Sequence, residues 1–104
     1  MDKYTVDFTN VEYYLEMHEV IKKSLDFPDY YGRNWDAFWD CLTDMIGDPM
    51  VIEIIGLDVI ERKFGDTAQK MVQIFKEAKH YYDNKYSDIT HIVLVSGEHR
   101  VELQ

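Results

Sequence analysis

The chain has 104 residues, the size of one ordinary domain and too short for two. Hydrophobic residues make up 46% of it and aromatic residues 14%, enough apolar material for a single core. Asp and Glu number 20 against 11 Lys and Arg, which gives a formal net charge of −9. Because negative charge repels nucleic-acid phosphates and anionic lipid headgroups, the composition argues against nucleic-acid and membrane-surface roles. It favours a basic protein partner.

Two further features bear on the setting of the chain. No segment approaches the roughly 20 apolar residues of a membrane-spanning helix, and residues 1–8 lack the basic and apolar regions of a secretion signal. Cys41 is the only cysteine, which excludes an internal disulfide and a cysteine-rich zinc site. We therefore expect a reduced, cytoplasmic setting.

The first half of the chain predicts one strand and two helices. Alternation of apolar and charged residues over 3–8 predicts a short strand. Thr9 and Glu12 have the spacing of a capping box, which predicts the start of a helix that continues to about residue 25. Residues 26–33 contain proline and glycine and are predicted as a loop. Asn34 is a favourable N-cap for a second helix over 35–46.

The second half predicts two strands and two helices. Residues 50–55 (MVIEII) are typical of a strand covered on both faces, and residues 89–95 (ITHIVLV) predict a second buried strand. Between them, a short helix over 57–64 stops at Gly65, and a longer helix begins after Asp66. The apolar stripe of the longer helix comprises Ala68, Met71, Val72, Phe75, Ala78 and Tyr82.

The remaining segments are polar, and the order of the elements indicates the fold class. Residues 83–87 predict a polar break, and residues 97–104 predict a polar tail. Strands separated by helices indicate an α/β fold with a small parallel sheet and helices packed on it. We expect residues 1–104 to form one domain.

The helix over 35–46 is unusual in where its charges lie. At about 100° per residue, its apolar residues share one side: Phe38, Cys41, Leu42 and Met45, with Trp35 and Ile46 at the margin. Asp36, Asp40 and Asp44, here named the acidic row, share the opposite side, and Trp39 lies at the border. Like charges at this spacing repel by a few tenths of a kcal/mol per pair, roughly, and no basic residue of the helix offsets them. The row is either a plain solvated face or a surface that binds cations.

Four aromatic residues lie beside the acidic row, namely Tyr30, Tyr31, Trp35 and Trp39. Buried aromatic side chains are common, and about two of the four are expected to belong to the core. The others would combine aromatic anchors with fixed negative charges. Such a surface suits a protein partner that has a cationic cleft.

Residues 29–43 (DYYGRNWDAFWDCLT) strongly resemble the central motif of the barstar family, intracellular inhibitors of the ribonuclease barnase. Similar residues follow in the same order at His18, at Asp48 and Pro49, at 75–79 (FKEAK) and at 88–90 (DIT), so the resemblance covers about residues 3–96. It implies a three-stranded parallel sheet flanked by four helices. It also implies that the protein binds a partner and is not an enzyme.

The resemblance further implies which residues contact the partner. Asp40 would be the central anion, supported by Asp36, where RNA phosphates lie in a ribonuclease active site. The implied contacts around them are Tyr30, Gly32, Asn34, Trp35, Trp39 and Thr43, with Glu77 on the last helix. Asp44, which continues the acidic row, is a further predicted contact that comes from the helical spacing and not from the resemblance. The implied partner is a basic microbial ribonuclease. The free protein is expected to be a monomer without cofactor or metal.

This chain also departs from the family pattern at the edge of the predicted surface. Where the family has glycine and tryptophan, it has Asp44 and Met45, and two acidic family positions correspond to Gly47 and Tyr81. The second family cysteine corresponds to Ser87. Such substitutions are what a changed partner requires, so an immunity protein against a different toxin is the alternative within binding functions.

Two other interpretations use the same carboxylates. Asp36, Asp40 and Glu77 could serve general acid–base hydrolysis of a glycoside, but a convex helix face offers no evident cleft. Carboxylates that diverge by about 40° per step along a helix also suit a metal ion poorly. The histidines give no zinc-like spacing, and His18 and Cys41 are expected to be packed core residues.

Overall fold

The computed structural model describes residues 2–81 and 89–104. The elements in chain order are β1 (Asp2–Asp7), α1 (Tyr14–Ser24), α2 (Trp35–Met45), β2 (Met50–Ile55), α3 (Leu57–Phe64), α4 (Thr67–Lys79), β3 (Thr90–Ser96) and β4 (His99–Glu102). The strands of the described residues form one sheet in the order β1-β2-β3-β4. β2 pairs in parallel with β1 and β3, and β4 pairs with β3 in antiparallel fashion. The expected α/β class with a parallel sheet and flanking helices is confirmed.

The described sheet has four strands where three were expected, because the predicted polar tail contains β4. Gly97 has φ 61°, a left-handed conformation that suits glycine, and lies in the turn that reverses the chain. The N–H of Leu103 donates to the carbonyl of Ile92 at 2.8 Å, and the Leu103 side chain is only 5% exposed. Lys79 Nζ donates to the carbonyl of Leu103 at 2.9 Å. The C-terminal segment is therefore part of the packed fold.

The helix α1 forms as predicted, but it begins at Tyr14 and without the predicted capping box. The Thr9 hydroxyl and N–H both donate to Asp7 Oδ1, at 2.5 and 2.9 Å, and these bonds lower the pKa of Asp7. Thr9 thus closes the turn after β1 and does not pair with Glu12. The N–H of Glu12 donates to Glu16 Oε1 at 2.6 Å. Asp66 precedes α4 as predicted, with no side-chain hydrogen bond to cap it.

The two faces of β2 are covered in different ways. Met50, Ile52 and Ile54 belong to the main core beneath the helices. On the other face, Glu53 forms ion pairs with Lys3 of β1 at 3.1 Å and Arg100 of β4 at 2.5 Å. These two cations hold the pKa of Glu53 below its usual range. On this second face, Glu53 is therefore covered by side chains of β1 and β4.

The helix α2 is fixed to the core through one side. Asn34 caps it as predicted, because Asn34 Oδ1 accepts from the N–H of Ala37 at 2.8 Å. Phe38 and Leu42 are fully buried, and the ring of Phe38 contacts that of Phe75 on α4 at a centroid distance of 5.1 Å. This anchoring leaves the opposite side of α2 facing solvent.

The apolar stripe of α4 is confirmed where it is described. Its members Ala68, Met71, Phe75 and Ala78 are buried and Val72 is half-buried. Tyr82, the predicted break over 83–87 and Ser87 within it lie outside the described residues. In residues 2–81 and 89–104, no helix is both long enough and apolar enough to cross a membrane.

The packing of the C-terminal segment can be tested with a matched pair of variants. Leu103→Ala removes a buried side chain and is expected to lower the free energy of unfolding by about 2–4 kcal/mol. Val101→Ala, at a position 59% exposed, is the control and should change it by less than about 0.5 kcal/mol. Urea unfolding followed by circular dichroism measures both. Equal, small effects would mean that the segment contributes nothing to the fold.

Candidate functional site

The acidic row lies fully on the solvent side of α2. Asp36, Asp40 and Asp44 are all exposed, as the helical spacing predicts. None of the ion pairs within residues 2–81 and 89–104 involves any of the three. Their charge therefore remains unneutralised by the described part of the chain. Three unpaired carboxylates on one rigid face can bind a cluster of positive charges.

The loop before α2 is held by its own polar side chains. Asn34 Nδ2 donates to the carbonyl of Gly32 at 3.2 Å while the Asn34 Oδ1 caps the helix. A Cβ at Gly32 would lie 3.2 Å from Asn34 Nδ2, so a larger residue would press on that amide. Arg33 has φ 53° and pairs with Glu19 of α1 at 3.4 Å. Gly32 and Asn34 thus fix the position of the loop beside the acidic row.

The four aromatic residues divide between core and surface. Tyr30 is 83% exposed, whereas Tyr31 is 5% exposed and belongs to the core. Trp35 and Trp39 are both half-buried. The ring of Trp39 contacts that of Tyr81 edge-on at 5.2 Å, which places it at the predicted border of the acidic row. Exposed Tyr30 and half-exposed Trp35 and Trp39 supply the aromatic part of the surface.

Two other predicted contact residues, Thr43 and Glu77, differ in their exposure to solvent. Thr43 is only 6% exposed, and its hydroxyl donates to the carbonyl of Trp39 at 2.8 Å. The Thr43 side chain therefore lies beneath the surface of the free chain, and its contact with the partner stays a prediction. Glu77 is exposed on α4 and its Oε1 accepts from Gln73 Nε2 at 3.1 Å. The end of α4 borders the acidic row, because Tyr81 contacts Trp39.

A buried histidine supports this surface from below. His18 of α1 is fully buried, and its Nδ1 forms a 2.7 Å hydrogen bond with Tyr31 Oη. Its ring also packs on Trp35 at a centroid distance of 4.8 Å. Burial lowers the pKa of His18, Arg33 lowers it further, and burial raises the pKa of Tyr31. Both groups are thus neutral at neutral pH, as packing beneath the loop and the start of α2 requires.

The packed role expected for His18 is confirmed, but its partner Tyr31 was not predicted from sequence.

Cys41 is half-buried, and burial together with Asp44 and Asp40 raises the pKa of its thiol. That thiol is therefore protonated and a poor nucleophile at neutral pH. Across the described parts of the chain, no group of three or more His, Cys, Asp or Glu side chains could hold a metal ion.

The family model described as Barstar (barnase inhibitor) matches residues 1–94, which include α2 and the whole acidic row. The chain belongs to the barstar family. A protein of Bacillus subtilis (strain 168) named Putative ribonuclease inhibitor YrdF is 35% identical over 83 residues, covering 80% of this chain and 88% of that protein. The family match ends within β3, so β4 and Leu103 lie beyond it.

The buried state of His18 predicts a pH-dependent stability. Because the folded chain holds the pKa of His18 below its ordinary value of 6.5, the unfolded chain takes up a proton there first. The free energy of unfolding should therefore fall as the pH drops below that value, by at most about 1.4 kcal/mol per pH unit. Urea unfolding at about pH 7.5 and about pH 5.5 measures this loss.

Two variants separate His18 from the other titrating groups. His18→Phe should lose less stability than the parent over that pH range, since the group that titrates is gone. His99→Phe, at an exposed position on β4, is the control and should keep the parent's dependence. An unchanged pH dependence in His18→Phe would contradict the burial of a neutral histidine beneath the site.

Proposed function

We propose that this chain is a cytoplasmic, non-catalytic inhibitor of a barnase-type ribonuclease, which it blocks by placing α2 and the preceding loop in the active site. The observation that carries the proposal is the acidic row, three exposed carboxylates without an ion pair to any described residue. Membership of the barstar family supports it, as does the similarity to a protein named as a ribonuclease inhibitor.

Mimicry of phosphate explains how an acidic helix would inhibit such an enzyme. Ribonuclease sites that bind RNA use Arg, Lys and His to hold the phosphate and to stabilise the charge that develops on it. A carboxylate accepts the same charge-assisted hydrogen bonds but presents no bond that the enzyme can cleave. Asp40, in the middle of the row, would meet the centre of the basic cluster, and Asp36, one turn earlier, would support it.

The surface needs little reorganisation before it binds. Phe38 and Leu42 fix α2 from below, and Asn34 holds the start of the helix. Rigid placement means that little conformational entropy is lost on association. The net charge of −9 adds an attractive field toward a basic enzyme, which raises the association rate and makes it fall with salt.

The remaining contacts are proposed around this acidic centre. Tyr30, Trp35 and Trp39 provide aromatic contact area, and Glu77 adds a negative charge from α4. Gly32 and Asn34 position the loop, while Thr43 supports α2 from beneath. The partner is a basic microbial ribonuclease, and the inhibitor acts as a monomer without a cofactor or metal.

Recognition of a different toxin is the second candidate. It is favoured by the chain's own residues Asp44, Met45, Gly47 and Tyr81, which change the edge of the surface relative to the family pattern. A panel of basic secreted bacterial ribonucleases tests the two candidates against each other. Inhibition of at least one member supports the ribonuclease inhibitor, and no inhibition across the panel favours another toxin.

Asp40→Ala is the decisive variant for the proposed mechanism. It should weaken inhibition by about 3–5 kcal/mol, because the basic cluster of the enzyme is left buried without its counter-charge. Its thermal stability should equal or exceed that of the parent, since one repulsion within the acidic row is removed. Inhibition constants and circular dichroism melting curves measure the two effects.

The control for this variant is Asp66→Ala, at an aspartate that precedes α4 and makes no side-chain capping hydrogen bond. It removes the same charge from the protein but not from the acidic row, so inhibition should stay within about twofold of the parent. If Asp40→Ala melts at a much lower temperature and inhibits normally, Asp40 is a structural residue and the mechanism is wrong.

The two tryptophans provide a further matched pair. Trp39→Phe should lose more binding energy than folding energy, about 1–2 kcal/mol of affinity, because its exposed part would lie in the contact. Trp35→Phe should lose folding energy as well as affinity, since Trp35 packs on His18 and on Phe38 at 5.5 Å while its exposed part would lie in the contact. Inhibition constants and urea unfolding of both variants give the comparison, and equal losses in Trp39→Phe would place Trp39 in the core.

A further inference from the structure

A cleft of about 260 Å³ lies next to the acidic row, between the loop after α1 and the last turn of α2. Leu25, Phe27 and Met45 contribute apolar surface to it. Asp26 and Asp44 line the same cleft and are both exposed to solvent. The cleft therefore brings apolar side chains and two acidic side chains together.

The two aspartates of the cleft lie on backbone that the fold fixes, and they carry unneutralised charge. Asp26 has φ 56°, and the residues on either side of it are tied by backbone hydrogen bonds, from Leu25 N–H to Ile21 O at 3.0 Å and from Phe27 N–H to Lys22 O at 2.9 Å. Asp44 lies one turn after Asp40 on α2. Neither Asp26 nor Asp44 takes part in an ion pair with another residue of the described ranges.

We propose that this cleft receives one lysine or arginine side chain of the partner ribonuclease, and that Asp26 and Asp44 determine which ribonucleases are inhibited. This inference rests on the proposed function. The aliphatic stem of a lysine or arginine packs on apolar surface while its charged head stays at the polar edge. Leu25 and Met45 match the stem, and the two carboxylates match the head.

The position of the cleft makes its occupant distinct from the cations that Asp40 would bind. Four residues along a helix correspond to about 6 Å, so Asp44 would meet a positive charge at the border of the partner's active site. Ribonucleases that share a phosphate-binding centre can differ at such a border position. A neutral or acidic side chain there would leave Asp26 and Asp44 desolvated without a counter-charge, which disfavours that partner.

The first test uses the free protein and its only cysteine. Cys41 lines the same cleft and is half-buried, so its reaction rate reports on what enters. A methanethiosulfonate reagent with a trimethylammonium group is compared with a neutral one of similar size. The ratio of the two rates should fall about fivefold in the Asp26→Asn/Asp44→Asn variant and stay at the parent's value in Asp66→Asn.

Asn is the chosen replacement because it tolerates the left-handed backbone at residue 26, so the loop keeps its shape. A rate ratio that is the same in the parent and the double variant would overturn the inference, since the cleft would then have no preference for cations. This result would leave the proposed function untouched, because no ribonuclease takes part in the measurement.

The second test measures inhibition of a ribonuclease that the parent protein inhibits. The double variant should raise the inhibition constant about tenfold at low salt, and by less at high salt, where charge pairs are screened. Asp66→Asn should remain within about twofold of the parent. Equal losses at both salt concentrations would show that the carboxylate charges do not form an ion pair with the occupant, and would overturn the inference.

The Asp40→Ala variant distinguishes failure of the cleft from failure of the function. If Asp40→Ala abolishes inhibition and the cleft double variant inhibits every ribonuclease as well as the parent, the cleft has no such role while the proposed function stands. If Asp40→Ala inhibits normally, or if the parent inhibits no ribonuclease of the panel, the proposed function fails and the inference fails with it.

Discussion

Burial of one side of α2 is the constraint on which the whole surface depends. The two fully buried side chains, Phe38 and Leu42, each stabilise the fold by about 1.5–3 kcal/mol. Repulsion along the acidic row costs only a few tenths of a kcal/mol per pair, roughly. Packing therefore outweighs repulsion, and the helix can display three like charges without losing its place.

Some of the described carboxylates form ion pairs within the chain and others do not. Glu53 is paired with Lys3 and Arg100 on the outer face of the sheet, and Asp58 lies 3.9 Å from Arg62 along α3. Such pairs neutralise charge locally and have little left to offer a partner. The acidic row and Asp26 form no such ion pairs among the described residues. A cationic partner would reduce the repulsion between their carboxylates, and this reduction would add to the free energy of binding.

Sequence predicted α2 well because three signals agreed there: the apolar spacing, the Asn34 cap and the family motif. It failed at β4, since this short edge strand is mostly charged and its one packed residue, Leu103, lies after the strand. The predicted capping box at Thr9 was also wrong, because the Thr9 hydroxyl donates a hydrogen bond to Asp7, two residues earlier, and does not cap the helix. The contact between His18 and Tyr31 joins residues of different segments, and neither local period nor composition encodes such a pair.

Thr43 and Asp44 show what a family motif leaves open about a surface. The motif fixes the residue type at position 43, but only packing decides that its side chain turns inward to the carbonyl of Trp39. Asp44 stands where the family has glycine, and it adds a charge to a surface whose centre is already acidic. An added charge is an attractive contact for a partner with a cation there and a repulsive one for any other. The centre of α2 would then provide affinity for a class of basic enzymes, while the cleft beside it selects among them.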